Sequence, residues 1–272
     1  MFSVDHDFHI HSRLSSCSGD PLQTAERLLS YAEENHLSRI CVTDHFWDES
    51  VPGASAWYSK QDFRHVCEIL PLPKREGVKL FFGCETELDR NLTLGISRER
   101  IERFDFIVIP TTHLHMSGFT IDTERNGSTE ARARLWVERL DAVLNMDLPF
   151  HKIGIAHLTC PLMAKEPAGE HLRLLSMIDD HTMHRLFARA AERGVGIELN
   201  FNSVDPTDGE LEIILRPYRI AKEEGCRFYF GSDAHHPASL HTVNAKHIVR
   251  LLSLDESDKH PLPETSVLDA YS

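Results

Sequence analysis

The amino-acid sequence predicts an α/β fold in which seven parallel strands alternate with helices and close, or nearly close, into one barrel. Seven short runs rich in β-branched and aromatic residues recur along the chain, and helical patterns separate most of them. This alternation is typical of parallel strands joined by right-handed crossovers. Seven such units favour a barrel over an open sheet, and 272 residues is a usual length for a single barrel domain.

The seven runs are short and nearly continuous in apolar residues, as expected for strands that are covered on both faces. They are DFHIH (7–11), RICVTDH (39–45), KLFFGCETEL (79–88), FDFIVIPTTH (104–113), KIGIAHL (152–158), GVGIELNF (194–201) and RFYFGSDAH (227–235). Each run therefore predicts one strand of the barrel.

Helices are predicted between the strands wherever apolar residues repeat on one face. The clearest patterns cover residues 22–32, 129–146, 181–192 and 211–218, and weaker ones cover 60–70, 97–102 and 243–253. After residue 254 the chain reads DESDKHPLPETSVLDAYS, which is polar. We therefore place the barrel domain at 1–254 and expect 255–272 to form a surface tail.

The composition excludes several classes of protein. Hydrophobic residues make up 41% of the chain, which is enough for a core and argues against disorder. A net charge of −13 argues against a long nucleic acid or an anionic membrane as the partner. A small anionic substrate remains compatible, because bound metal ions would reverse the sign of the field locally.

Cysteine usage and hydropathy bear on the compartment. The six cysteines show no CxxC spacing, and Cys41 and Cys84 lie in strand-like runs, which favours buried thiols in a reducing compartment. The N-terminus lacks an apolar signal segment, and no apolar run approaches the ~18 residues of a membrane span. We expect a cytoplasmic protein without a membrane partner, and the sequence leaves its oligomeric state open.

The carboxyl end of every predicted strand carries side chains that can bind metal ions. In chain order these are His9 and His11, Asp44 and His45, Glu85 and Glu87, His113 followed by His115, His157, Glu198 and Asn200, and Asp233 and His235. The carboxyl ends of parallel barrel strands converge on one mouth, so these side chains should surround one cavity. So many imidazoles and carboxylates together would be unfavourable without cations. Mixed nitrogen and oxygen donors favour two or three ions of Zn, Mn or Fe.

Taken in order, the motifs DFHIH, TDH, GCE, TTH, IAH and GSDAH resemble the successive motifs of the PHP (polymerase and histidinol phosphatase) superfamily. The resemblance spans residues 7–235, which is nearly the whole predicted barrel. It implies a distorted (β/α)7 TIM-like barrel, a site for two or three metal ions, and phosphoesterase activity.

The resemblance also implies roles for the residues at the strand ends. Metal ligands would be His9, His11, His45, Glu85, His113, His157, Asp233 and His235. Five of these would also act in catalysis, namely His9, His11, Glu85, Asp233 and His235. Glu85 would bridge a buried metal pair, and Asp44 would orient neighbouring ligands.

One position departs from the pattern of the family. Many members carry a histidine or an aspartate about six residues after the HxH motif, where this chain has Cys17 in the segment SSCSGD. Cys17 could be a thiolate ligand, or Asp20 could be the ligand instead, an alternative that is slightly favoured. Both residues are therefore candidate metal ligands.

Substrate specificity is expected to lie in the loops that follow the strands. The long loop FWDESVPGASAWYSK carries two tryptophans and a tyrosine, which could stack on a ring of the substrate or simply cover the barrel mouth. Candidate substrate contacts are Arg13, Trp47, Arg125, Asn200 and His236, with Lys165 as a further possible phosphate contact.

The predicted function is hydrolysis of a small phosphomonoester. Two metal ions about 4 Å apart can share one hydroxide and hold it in line with a phosphorus atom. The chain has neither a GxSxG nucleophile motif nor a GxxxxGK[ST] phosphate loop, so other routes to hydrolysis find no support. The length resembles that of the small stand-alone phosphatases of the family, which makes histidinol phosphate the leading named substrate.

Three other functions remain open at this point. The nearest alternative is a nucleotide phosphatase, or an exonuclease that acts on short oligonucleotides and 3′,5′-bisphosphates. A metal-bound barrel without catalytic activity is the second. A metal-dependent amidohydrolase is the third, since those barrels also begin with HxH, but no lysine stands at a strand end here.

Overall fold

The computed structural model describes residues 1–164, 167–201 and 208–271, without the side chains of Arg125, Asp208 and Tyr271. The strands are β1 (His6–Ile10), β2 (Arg39–Val42), β3 (His45–Phe46), β4 (Lys79–Phe82), β5 (Cys84–Thr86), β6 (Ile107–Ile109), β7 (Ile153–Ile155), β8 (Gly196–Leu199) and β9 (Arg227–Phe230). The helices are α1 (Ala25–Asn35), α2 (Phe63–Val66), α3 (Arg98–Ile101), α4 (Thr123–Asn126), α5 (Thr129–Asn145), α6 (Glu170–Ser176), α7 (Asp180–Arg193), α8 (Asp208–Glu223) and α9 (Val243–Leu251). Two predicted phosphate contacts, Lys165 and the side chain of Arg125, lie outside this description.

The strands form two sheets, both of them parallel throughout. One sheet has the order β1-β2-β4 and the other has the order β3-β5-β6-β7-β8-β9. Each of the seven predicted runs overlaps at least one strand; the third contains both β4 and β5, and the second contains β2 and ends at the first residue of β3. The prediction of an α/β fold with parallel strands is therefore confirmed.

The first and the last strands meet at their carboxyl ends. Ile10 pairs with Ala234 through an isolated parallel bridge. The amide of Asp233 donates a hydrogen bond to the carbonyl of His9 at 2.7 Å, and the amide of His11 donates to the carbonyl of Ala234 at 3.1 Å. These bonds bring the HxH motif beside the GSDAH motif, although 222 residues separate His11 from Asp233.

Gly83 divides the third run where the backbones of neighbouring strands approach closely. A Cβ at this position would lie 2.5 Å from the carbonyl oxygen of Phe106 and 2.6 Å from Sγ of Cys41. Only glycine fits here without displacing backbone, and it stands between β4 of one sheet and β5 of the other. The next two residues then diverge, Cys84 to the apolar core and Glu85 to the strand-end cluster.

The two sheets share an apolar cluster that lies between them. The ring of Phe8 in β1 is 5.5 Å from that of Phe81 in β4 and 5.3 Å from that of Phe106, close to β6. Tyr229 of β9 completes this cluster, 5.0 Å from Phe106. A larger core packs the outer faces of the strands against the helices around Trp136. None of the helices in the described ranges has the length and apolarity needed to cross a membrane.

Two parts of the chain differ in detail from the sequence-based expectation. Helix α1 begins at Ala25 rather than at residue 22, because Thr24 caps its amino end, and Leu22 is 69% exposed. The segment after residue 254 lies largely at the surface, but two of its residues, His260 and Leu262, are buried. The amide of His260 donates to the carbonyl of Phe228, while the amide of Val267 donates to Asp105 at 2.6 Å.

Candidate metal centre

Potential ligand atoms from six of the seven predicted strand ends gather in three overlapping groups. Within each group the ligand atoms lie no more than 4.8 Å apart. The groups are His9, His11, Glu85 and Asp233; Glu85, His113 and His157; and His11, His45 and His235. Apart from the two candidates in the SSCSGD segment, the resemblance implied eight metal ligands. The structure brings all eight of these residues together.

Glu85 belongs to two of these groups and is fully buried. One carboxylate oxygen is 2.8 Å from Nδ1 of His45, and the other is 3.5 Å from Nε2 of His157. Neither oxygen has a hydrogen bond of acceptable geometry within the described part of the chain. Burial would raise the pKa of Glu85, but the neighbouring histidines hold it well below its usual range. A buried carboxylate without well-formed hydrogen bonds is suited to binding a cation.

The two histidines of the HxH motif present equivalent atoms to the centre. Nε2 of His9 lies 3.2 Å from Nε2 of His11, and the latter lies 3.1 Å from Oδ1 of Asp233. Their Nδ1 atoms point away, His9 to Glu198 at 2.6 Å and His11 to Ser15 at 2.9 Å. A hydrogen bond at Nδ1 fixes the ring orientation and leaves Nε2 available to a metal.

Glu198 makes two contacts that sequence reasoning did not assign. Besides binding His9, its second oxygen accepts the amide of His157 at 2.6 Å. His157 has a φ of 27°, in the left-handed region that non-glycine residues rarely occupy. The carboxylate therefore supports the unusual backbone that directs His157 towards Glu85. A charged residue inside the apolar run GIELNF was the only signal for it in the sequence.

Glu87 has a corresponding role beside His113. It accepts a hydrogen bond from Nδ1 of His113 at 2.7 Å and lies 3.3 Å from the guanidinium of Arg139. Burial raises the pKa of Glu87 to about 7, although Arg139 acts to lower it. Arg139 is itself buried, reaches in from α5, and donates to the carbonyl of Leu88 at 2.7 Å. Nothing in the sequence of the predicted helix 129–146 indicated that Arg139 would contact Glu87.

Asp44 acts through two serines of the first loop. Its carboxylate accepts from the hydroxyl of Ser12 at 2.6 Å and from that of Ser15 at 2.7 Å. Ser15 in turn contacts Nδ1 of His11 and accepts the amide of His45 at 3.1 Å. Asp44 therefore orients two of the donor residues indirectly.

The GSDAH turn places the side chains of Asp233 and His235 through an unusual backbone. Asp233 has a φ of 52°, and its carbonyl lies 2.8 Å from Nδ1 of His235. The ring of His235 stacks on that of His11 at 4.0 Å, and burial lowers its pKa to about 3. A Cβ on Gly231 would overlap the Glu198 carboxylate, so the turn requires glycine there.

Neither Cys17 nor Asp20 belongs to any of the three donor groups. Cys17 lines the cavity above them, and partial burial together with the charges of Glu85 and Asp233 raises the pKa of its thiol to about 12. Asp20 accepts the amide of Leu22 and lies 3.8 Å from Nδ1 of His236. The choice between Cys17 and Asp20 as a ligand stays a prediction.

The predicted substrate contacts are scattered. Arg13 is exposed, Asn200 is partly buried and His236 is half-exposed, and these three side chains lie outside the cavity lining. Trp47 is 1% exposed, packs beside Phe119, and donates its indole N–H to the carbonyl of residue 51. Its ring therefore lies beneath the cavity wall without access to a substrate, contrary to expectation, because the loop folds over it.

The cavity itself has a volume of about 480 Å³ and opens directly above the donor groups. Its lining includes donor residues, among them His45, Glu85 and Asp233. The aromatic side chains of Trp57 and Phe119 also belong to the lining. Donor atoms and open space therefore occur together in a pocket of a size that is usual for small-molecule ligands.

Comparisons with known proteins place this architecture among solved structures. The sequence matches no protein-family model and no curated protein. One similar structure is that of histidinol phosphate phosphatase from Lactococcus lactis subsp. lactis Il1403, complexed with zinc, L-histidinol and phosphate. The two structures superpose with a TM-score of 0.59 and share 18% sequence identity, and the match covers 95% of this chain and 99% of that chain. A candidate histidinol phosphatase from Listeria monocytogenes has a TM-score of 0.61 at 16% identity, covering 89% and 99%. This chain therefore shares its fold, over almost its full length, with these two structures.

Proposed function

We propose that this protein is a metal-dependent phosphomonoesterase, with histidinol phosphate as the leading named substrate. One observation carries the proposal: the buried Glu85 carboxylate, without a hydrogen bond of acceptable geometry in the described chain, belongs to two of the three groups of potential ligands and lies 2.8 Å from His45 of the third. The fold shared with a phosphatase complexed with zinc, histidinol and phosphate supports it.

The donor set fits two or three ions of zinc, manganese or iron. Imidazole nitrogens and carboxylate oxygens are the ligands that these ions accept, whereas calcium and magnesium prefer oxygen alone. Glu85 belongs to two of the groups and would help to hold an ion in each of them. His11 also belongs to two groups, but Ser15 engages its Nδ1, so its single inward nitrogen can serve one ion.

The residues of the chain hold this site in shape. When bound, the ions would activate water for attack and neutralise charge on the phosphoryl oxygens. Glu198 and Glu87 fix the imidazoles of His9 and His113, and Ser15 fixes that of His11. The apolar side chains that line the cavity, such as Trp57 and Phe119, would exclude bulk water from the reacting ester.

In the same proposal, both sheets belong to one distorted (β/α)7 barrel. The bridge between Ile10 and Ala234, and the aromatic contacts of Phe8 with rings from the other strands, support such a closure. Closure of this kind explains why potential ligands from six strand ends gather in one place.

Phosphate release from a panel of esters tests the proposed function. The panel contains histidinol phosphate, mononucleotides and 3′,5′-bisphosphates, each with manganese, zinc or a chelator. We expect chelator-sensitive release by the wild type and by Asp147→Asn, a control at an exposed position, and none by Asp233→Asn. Activity that survives both the chelator and Asp233→Asn would refute the site. Silence with metal bound would favour the non-catalytic alternative.

A further inference from the structure

The cavity above the donor groups is lined by apolar side chains as well as by donor residues. The apolar side chains include Trp57, Met116, Phe119 and Leu162. Trp57 keeps 37% of its surface exposed although it is a large apolar residue. Among the side chains that the structure describes, no lysine or arginine lines this cavity.

Trp57 lies directly beside a donor residue. Its ring centroid is 5.1 Å from that of His45, with the two planes inclined at 67°. His45 is in turn 2.8 Å from the carboxylate of Glu85. A phosphoryl group placed at the donor atoms would therefore leave its alcohol portion within reach of the exposed indole face.

The indole rests on a packed aromatic base. Tyr58 is buried and lies edge-on to Trp57 at 4.7 Å and against Phe119 at 5.3 Å. Its hydroxyl is 3.4 Å from both Nδ1 of His45 and the carboxylate of Glu87. Trp47, buried below, adds a third ring to this base. Trp57 and the rings packed beneath it form the aromatic wall of the cavity. Because this wall is already packed, binding a ligand to it costs little conformational entropy.

We propose that this wall selects phosphomonoesters whose alcohol carries a small aromatic ring, and that Trp57 determines the preference. An uncharged ring gains by stacking on the indole and leaving water. A second phosphate or a polyol would instead lose hydration against a wall whose described residues offer no cation in return. This inference rests on the proposed function, since it concerns the leaving group of that reaction.

Steady-state kinetics on two small esters test the inference. Phenyl phosphate and glycerol phosphate differ in the ring, and a nucleoside 3′,5′-bisphosphate adds a second anion. We expect the metal-loaded wild type to prefer phenyl phosphate in kcat/KM. Trp57→Ala should raise KM for phenyl phosphate about tenfold while leaving kcat and the constants for glycerol phosphate unchanged. Trp57→Phe should restore part of the loss.

Met177→Ala is the matched control, because Met177 is 40% exposed and lies outside the cavity lining. It should leave all three esters unaffected. Equal losses on both small esters in Trp57→Ala, or a wild-type preference for the bisphosphate, would overturn the inference.

If no ester is hydrolysed, the proposed function fails, but the wall can still be tested. Phenylphosphonate, which cannot be hydrolysed, should then quench the indole fluorescence of the wild type and not that of Trp57→Ala. Identical quenching in both proteins would reject the aromatic wall as a binding surface.

Discussion

Buried carboxylates in this protein have two different kinds of surroundings. Glu198, Glu87 and Asp44 each accept well-formed hydrogen bonds, whether from an imidazole, an amide or a serine hydroxyl. Glu85 accepts none of acceptable geometry within the described residues, although four imidazoles approach it. The hydrogen-bonded carboxylates therefore serve to orient the donor residues, whereas Glu85 faces the position that a cation would occupy.

Glu198 offers the sharpest test of this distinction. Glu198→Ala removes the partner of both His9 Nδ1 and the His157 amide, so metal affinity should fall roughly 10- to 100-fold. Glu198→Gln keeps an acceptor for the amide and should lie between. Competition with a fluorescent chelator measures the affinity without a substrate, and the exposed Glu192→Gln serves as the control. Unchanged affinity in Glu198→Ala would show that the carboxylate does not position the ligands.

For single residues, the sequence predicts where a side chain lies along a strand better than it predicts the direction in which that side chain points. The donor residues could be identified because they close strand-like runs, where a polar side chain has no structural reason to recur. Glu198 and Asn200 are two apart and share a strand face, so spacing alone could not tell which would reach the centre. Trp47 and Trp57 lie in an irregular loop, where no period indicates which ring is buried.

At the scale of elements, close contacts between strands explain why glycine is needed at certain positions of the motifs, such as Gly83. Gly83→Ala would force a Cβ against the Phe106 carbonyl and the Cys41 sulfur, so we expect a loss of about 1–3 kcal/mol in the free energy of unfolding. Urea denaturation measures this loss. Gly209→Ala is the matched control, because no atom lies within 4 Å of its Cβ position and alanine favours the helix α8. Equal stability of both variants would show that the strands can separate at Gly83 without cost.

Strands and helices with a clear repeat of apolar residues could be predicted from the sequence. Elements whose bounds depend on tertiary packing could not. Each of the seven apolar runs overlaps a strand, and the amphipathic patterns for α5, α7 and α8 correspond to helices. Helix α6 was missed, since it has only seven residues and follows Gly169 without a side-chain cap. The start of α1 was misplaced because apolar Leu22 matched the helical period although Thr24 ends it.

At the scale of the whole molecule, the carboxyl-terminal segment covers the strand ends opposite the cavity. The ring of His260 packs between Phe106 and Tyr229. Lys259 pairs with Phe228 through a parallel bridge near the start of β9. One end of the strands is therefore closed by packing, which leaves the other end for the donor groups.

This packing predicts a dependence of stability on pH. Burial lowers the pKa of His260 from 6.5 to about 4, so the folded state retains the neutral ring. Its contribution is complete above pH 7 and is lost as the pH falls from 6.5 to 4, by up to roughly 3 kcal/mol. Relative to the wild type, His260→Gln should lose less unfolding free energy over this range. His247→Gln, at an exposed position, should follow the wild type. Parallel losses in all three proteins would contradict this prediction.

The most direct test of the central claim is a metal titration of the metal-free protein with phosphate release as the readout. Phosphate release from the best ester of the panel is measured against the number of zinc or manganese ions bound per chain. We predict no release without metal, a rise as ions bind, and a plateau at two or three ions. Full release from the metal-free protein, or none from any ester with two ions bound, would contradict a metal-dependent phosphomonoesterase built around Glu85.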